Sequence, residues 1–363
     1  MKTAVKYLSC LLIIILFATG GAQAQSSDPR SLYSQSDVIV VGTASTFSPV
    51  GDDLRFQIDV EMPIKGNVSA HTLLDARSPN PQIPGSTLGD LKTTVRGIWF
   101  LKLDADQIYH CLPGGRSLPQ GLVLSVPPQP ASEPPLKLQS SDSSQETLVK
   151  LAAAALVQGI GRPDQFFLAA GGARTPVVLE IVKYLSTSAN PITRAVGIAS
   201  LILRNDETII LDVVETRKSL SGKQIDLIAP MLANNYRGQN PEVIRALGTV
   251  IADPSSPPAL RDAAGQVLRA VHNKDALPYL AMLLDSSDPK EQAYGSLGFS
   301  AFVHGWGIIP LESGIDMSWM INATPTAYLT PELKQQLSNK KPGETAALWK
   351  NWWRDHQAEL MHQ

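Results

Sequence analysis

Cysteine is nearly absent from this chain of 363 residues. There are two, and Cys10 falls in an apolar leader. The rest of the chain carries Cys111 alone and cannot close an internal disulfide, so its stability has to come from buried apolar cores. Charge of one sign is also lacking: 31 Lys and Arg stand against 33 Asp and Glu, for a formal net charge of −2, and no basic cluster stands out. That balance speaks against a nucleic-acid partner. After the leader no apolar run reaches the ~18 residues that would cross a bilayer, so the mature chain is expected to have no integral membrane span. Catalytic signatures are missing too. There is no H-E-x-x-H, C-x-x-C, G-x-G-x-x-G, phosphate-binding loop or G-x-S-x-G. The histidines His71, His110, His272, His304, His356 and His362 are scattered. No catalytic residue, metal ligand or cofactor site is therefore expected. Asp52-Asp53 reads as a solvated turn rather than a calcium site.

What is present begins with residues 1–24. Lys2 and Lys6 precede the apolar run "YLSCLLIIILFA", and Ala22 and Ala24 form an A-x-A pattern before Gln25. This reads as a secretory signal peptide. Cys10 sits at the start of the apolar run, where a lipid-attachment cysteine would not. The mature protein is expected to be exported, periplasmic or extracellular, and of bacterial character, so the sequons "NVS" and "NAT" read as chance.

Three textures follow. In residues 25–126 the stretch "DLRFQIDVEMPIKG" alternates, with Leu54, Phe56, Ile58, Val60 and Met62 on one face and Arg55, Gln57, Asp59 and Glu61 on the other. That is the period of a half-buried strand. Together with "SDVIVVGTAST", "SAHTLLDA", "RGIWFLKLD", "QIYHCLP" and "GLVLSVP" it predicts a small antiparallel barrel or sandwich. His110 and Cys111 are neighbours, but adjacent strand residues face opposite ways, so a nucleophile–base pair is not expected. Residues 127–142, "PPQPASEPPLKLQSSD", read as a semi-extended Pro/Ser-rich linker without means of burying a core. From Ser143 the pattern is helical, opened by a Ser143/Glu146 capping box.

Within 143–305 one design recurs. "NPITRAVGIASLIL", "PPALRDAAGQVLRAV" and "DPKEQAYGSLGFSAF" each place proline at the first helical position: Pro191, Pro258 and Pro289. Three residues on stand Arg194, Arg261 and Gln292, and at the sixth place Gly197, Ala264 and Gly295, small enough for close helix approach. Leu297 belongs to the third copy. Each segment is preceded by another amphipathic helix. The result is about four helical hairpins, near 175–204, 207–236, 241–271 and 275–303, at the ~31–34-residue spacing of α-solenoids.

The stretch "DALPYLAMLLDSSDPKEQAYGSLGF" resembles a HEAT repeat. Leu277, Pro278, Leu280, Leu283 and Leu284 match the first helix of the family pattern, and Asp288 and Pro289 match its turn. Arg194 and Arg261 hold the family arginine, which is Gln292 in this copy. The resemblance covers about 144–305 and implies a solenoid that binds or scaffolds proteins. Residues 31–126 are similar to the small OB-like barrels of the tissue inhibitors of metalloproteinases. Those inhibitors ligate the target zinc through an N-terminal cysteine. This chain has none there, so only the barrel is implied.

Residues 306–363 are expected to form a covering loop and capping helices. Of six tryptophans, five lie here: Trp306, Trp319, Trp349, Trp352 and Trp353. The last three fall on one helical face, with Thr345, Leu348, His356 and Leu360 extending the stripe. They read first as a lid over the last repeat. Docking to a partner or a membrane interface are the rival uses, and Trp306 and Trp319 would serve a binding surface if exposed. The expected fold is thus multidomain, a β-barrel or sandwich and then an all-α HEAT-like solenoid with a Trp-rich capping helix. The expected function is an exported, non-enzymatic interaction or scaffold protein with a protein partner. The rival is an enzyme or protease-inhibitor-like module acting through the β-domain, and a purely structural envelope module is a third possibility. N-terminal sequencing of the exported protein is expected to start at Gln25; a start at Met1 rules the leader out.

Overall fold

The structure is a computed structural model that describes residues 33–51, 53–79, 94–112, 123–124, 126–127, 131–171, 173–305, 326–338, 340 and 344–362. The expected leader, Trp306 and Trp319 lie outside these residues. The chain divides into two compact units, Met1–Ala173 and Arg174–Gln363. Among the described residues no helix is long and apolar enough to cross a membrane.

The first unit holds a five-stranded barrel. Its strands are β1 (Val38–Val50), β2 (Asp53–Lys65), β3 (Leu73–Pro79), β4 (Val95–Leu103) and β5 (Tyr109–Cys111). They run in the order β1-β2-β3-β5-β4, and β4 pairs back onto β1 to close the wall. A short β6 (Val123–Leu124) adds to β4. All pairings are antiparallel except β3 with β5. Strand β2 behaves as its alternation predicts: Leu54, Phe56, Ile58 and Val60 are buried and Arg55, Asp59 and Glu61 exposed. Inside, Phe56 packs against Trp99 at 5.3 Å, and Trp99 Nε1 donates to the Gly42 carbonyl at 2.9 Å. The tryptophan thereby fills the barrel and still satisfies its N–H.

The wall made by β1 and β4 is apolar on both faces. Ile39, Val41, Ile98 and Phe100 sit on the side opposite Val40 and Trp99, and are 0–4 % exposed. Two helices complete the unit: α1 (Ser144–Val157) and α2 (Pro163–Ala170). Helix α1 carries the expected capping box, and Ser144 Oγ donates to the Ile64 carbonyl of β2 at 2.7 Å. The helical texture starts where expected, but these first two helices belong to the barrel's unit.

The segment expected to be an extended linker is anchored at its C-terminal end. Leu136 is buried. Lys150 Nζ of α1 reaches Asp142 Oδ1 at 2.6 Å and the Lys137 carbonyl at 3.0 Å, with both charged side chains 3 % exposed. Composition alone gave the segment no core. An ion pair buried this deeply is costly to break, about 3–5 kcal/mol if one partner is removed.

In the second unit the described helices are α3 (Pro176–Ser186), α4 (Pro191–Ile202), α5 (Glu207–Thr216), α6 (Gly222–Asn235), α7 (Pro241–Ala252), α8 (Pro258–Leu268), α9 (Leu277–Leu284), α10 (Pro289–His304), α11 (Pro331–Leu337) and α12 (Ala346–His362). Their starts share a chemical signature. Asn190, Asn240 and Asp288 cap α4, α7 and α10 through side-chain oxygens, each followed by proline at the first helical position. Helix α10 ends at Gly305 in the left-handed conformation, φ 72°.

First helices of successive pairs touch, α5 with α7 and α7 with α9. So do second helices, α4 with α6, α6 with α8 and α8 with α10. Helix α12 lies against α9 and α10. One apolar cluster runs from Ala195 through Leu277 and Phe299 to Trp349, Trp352 and Leu360. Close approach is set by small residues: a Cβ on Gly197 would lie 2.2 Å from the Ser186 nitrogen, and one on Gly295 would lie 2.8 Å from the Leu280 carbonyl. On an exposed helix Gly→Ala stabilises by about 1 kcal/mol. Here the methyl meets backbone that cannot step aside, so Gly197→Ala is expected to lose about 1–3 kcal/mol in urea unfolding. A gain in stability would mean that α3 and α4 are not held this close.

Candidate functional site

The Cys111–His110 pair resolves as strand geometry dictates. Cys111 points into the barrel, 4 % exposed, and burial pushes its thiol up to about 12. His110 points outward instead. Its Nε2 lies 2.7 Å from Asp104 Oδ2 and also meets Arg77 Nε, while Arg77 Nη2 pairs with the same carboxylate. Nε2 either accepts from Arg77 or donates to Asp104, according to tautomer. The Ala105 N–H, then His110 and Arg77, hold the Asp104 carboxyl below its usual range. The cysteine and histidine therefore lie on opposite sides of the wall, and the thiol stays protonated near neutral pH. Among the described residues no three His, Cys, Asp or Glu side chains converge as metal ligands.

Of the tryptophan stripe, Trp349 and Trp352 are buried and Trp353 half-buried. Trp349 is fully buried and stacks on Phe299 at 5.8 Å, with Trp352 and Trp353 edge-on to the same ring at 5.8 and 5.9 Å. Trp352 also stacks on His356 at 4.5 Å. Thr345 and Leu360 are buried with them, whereas Lys350, Asn351, Arg354 and Asp355 are exposed. Of the repeat residues, Pro191, Pro258 and Pro289 each open a helix. Arg261 reaches Glu291 of α10 at 3.3 Å, and Leu297 packs on Ala270 and Ala301. Arg194 is half-buried on α4.

Two surface features remain. One is a groove of about 270 Å³ between the second-position helices α6 and α8. Its floor is Ala229, Ala233 and Ala263, and its rim includes Asp226, Asn234 and Asp262. Asp262 is fully engaged: Lys290 Nζ lies 2.6 Å away, and Tyr294 and Gln266 donate to it at 3.0 and 2.9 Å. Pro230 inside α6 has no N–H to give, which leaves the Asp226 carbonyl without its helical donor at the groove's edge.

The other is a recess of about 410 Å³ on the barrel, where β1, β2 and β3 meet Ile108. A bulge creates it. Ser45 pairs with Gln57 and Ser48 with Arg55, so β1 fits two residues where β2 has one. The extra residue, Thr46, takes φ 56°, a left-handed conformation rare for a β-branched side chain. Arg55, Gln57 and Asp75 line the polar side, and Gln57 Nε2 donates to Asp75 Oδ1 at 3.0 Å. Sequence reasoning placed Arg55 and Gln57 on the polar face of β2 and went no further. The strand register is what brings Asp75 beside them.

The chain matches no protein-family model, no curated protein and no solved structure.

With its thiol pushed up to about 12 by burial, Cys111 is expected to react with a maleimide on the order of a thousandfold more slowly in the native protein than in denaturant. Equal rates, followed by mass spectrometry, would place the thiol in solvent.

Proposed function

We propose that this chain is an exported, non-enzymatic interaction protein. On this reading residues 175–303 form a HEAT-like solenoid of four hairpins, capped by α12, and the second-position helices bind a protein partner. The barrel is OB-like, a reading that the strand order β1-β2-β3-β5-β4-β1 with its parallel β3–β5 pair supports. Like-with-like stacking of α5, α7 and α9 and of α4, α6, α8 and α10 supports the solenoid.

The observation that carries the binding reading is the alanine-floored groove between α6 and α8. Ala229, Ala233 and Ala263 are buried at the seam of the two helices and Ala259 is exposed beside them; with side chains this small, a partner can approach the helix backbones closely along the groove.

Site-specific photo-crosslinking in the intact chain tests this. A crosslinker at Ala259, exposed on the groove rim, is expected to join one defined protein. The same probe at Glu215, exposed on α5, should join none, and Asn234→Arg should abolish the adduct by obstructing the groove. Adducts only from exposed Leu73 on β3 would move the function to the barrel and favour the β-domain alternative.

A further inference from the structure

We propose that the barrel recess is a binding site for a zwitterion of dipeptide size, with its carboxylate on Arg55 and its ammonium on Asp75. This goes beyond the partner surface on the helices and does not depend on it.

The argument starts from register. Arg55 pairs with Arg77 and Gln57 with Asp75, so Arg55 and Asp75 are diagonal neighbours across β2 and β3. Diagonal positions on one face lie about 7–8 Å apart. Two extended residues span about 7 Å, comparable to that backbone diagonal, so a dipeptide laid along it directs one terminus toward each side chain, which the adjacent charges of a single amino acid do less well.

The charges are set for such a ligand. Arg55 is exposed, and among the described residues its guanidinium meets no carboxylate or carbonyl oxygen. Its five N–H donors are free to take a carboxylate side-on. Asp75 uses one oxygen on Gln57 Nε2 and keeps the other for an ammonium. Gln57, directly opposite Asp75, and Ser48, opposite Arg55 on β1, add amide and hydroxyl groups to the lining. Half-buried Ile108 supplies apolar surface to the lining, backed by Phe56 and Ala76 of the barrel core. The bulge at Thr46 is the structural cost of opening this space, and strained backbone of this kind concentrates at ligand sites.

A ligand of one sign fits less well. An anion alone would face the Asp75 carboxylate, and a cation alone would face Arg55, so recognition requires both ends.

Titration calorimetry of the full chain with leucyl-leucine tests the proposal. Saturable binding is expected, weakened about tenfold or more by an N-acetyl cap, which removes the ammonium, and likewise by a C-terminal amide, which removes the carboxylate. Free leucine should bind more weakly than the dipeptide. Arg55→Ala should abolish the difference between the free and amidated dipeptide, and Asp75→Asn the difference between free and acetylated. Because Arg55 has no partner among the described residues, its variant should unfold at the wild-type temperature. No saturable heat at about 10 mM dipeptide, equal binding of capped and free forms, or unchanged binding in Arg55→Ala would each overturn the site.

Discussion

The described helices of residues 174–363 bury their apolar faces against neighbouring helices in one shared cluster, and this constraint shapes the second unit. One buried cluster there runs from Ala195 to Leu360. A pair that exposed Ile225, Leu247 or Leu277 would leave each in water at about 1.5–3 kcal/mol per side chain. The helices must therefore lie close enough to share one core, and that is why small residues recur at the contacts. Gly197 lets the α3 backbone approach to a distance that any Cβ would forbid. The same demand appears at Phe299. Its ring is fully buried late in α10, and it is covered by three tryptophans of α12 at 5.8 to 5.9 Å. Aromatic rings are the efficient choice there, since each buries a large area for two side-chain torsions.

The barrel meets a different constraint. Closing β4 onto β1 removes the sheet edges, but a closed five-strand wall has little interior. Phe56 and Trp99 fill much of it, and Gly42 is needed where a Cβ would come within 2.5 Å of the Asp59 carbonyl. The apolar residues left over on β1 and β4 face outward and are buried there, while β2 and β3 keep a polar outer face. One side of the wall is thus available for solvent and ligands, and the bulge at Thr46 falls on that side.

How much of this could be read from sequence follows from which signals are local. The alternation of Leu54 to Val60 is local and fixed the faces of β2. The cap-then-proline starts of α4 and α10 are local too, and so is the spacing that puts Trp349, Trp352 and Trp353 on one face. Strand β1 was legible as a strand but not by face, because burial on both sides erases the two-residue period. Helix α2, at Pro163–Ala170, is short and was not anticipated. The anchoring of 136–142 was hidden because it depends on Lys150, a charged residue whose burial only its partner Asp142 explains. The Arg55–Asp75 pairing required the β2–β3 register, and nothing within either strand states it.

The recess is informative because of how three other cations of the barrel are used, whereas Lys102, exposed on β4, does not line it. Arg77 is held by Asp104 and lies 3.9 Å from Asp53. Arg96 is gripped by Glu61 at 2.8 Å and donates to the Pro127 carbonyl. Lys65 donates to the carbonyls of Tyr33 and Ser36. Each of these side chains ties one segment of the wall to another, and its charge is spent on the fold. Arg55 sits on the same strand as Glu61 and Lys65 and directly opposite Arg77 on β3, yet among the described residues it ties nothing. A solvated arginine on a flat surface would need no explanation. At the edge of a space opened by a strained bulge, and diagonal to a carboxylate with an oxygen to spare, the free guanidinium is the feature that the fold does not require and a ligand would.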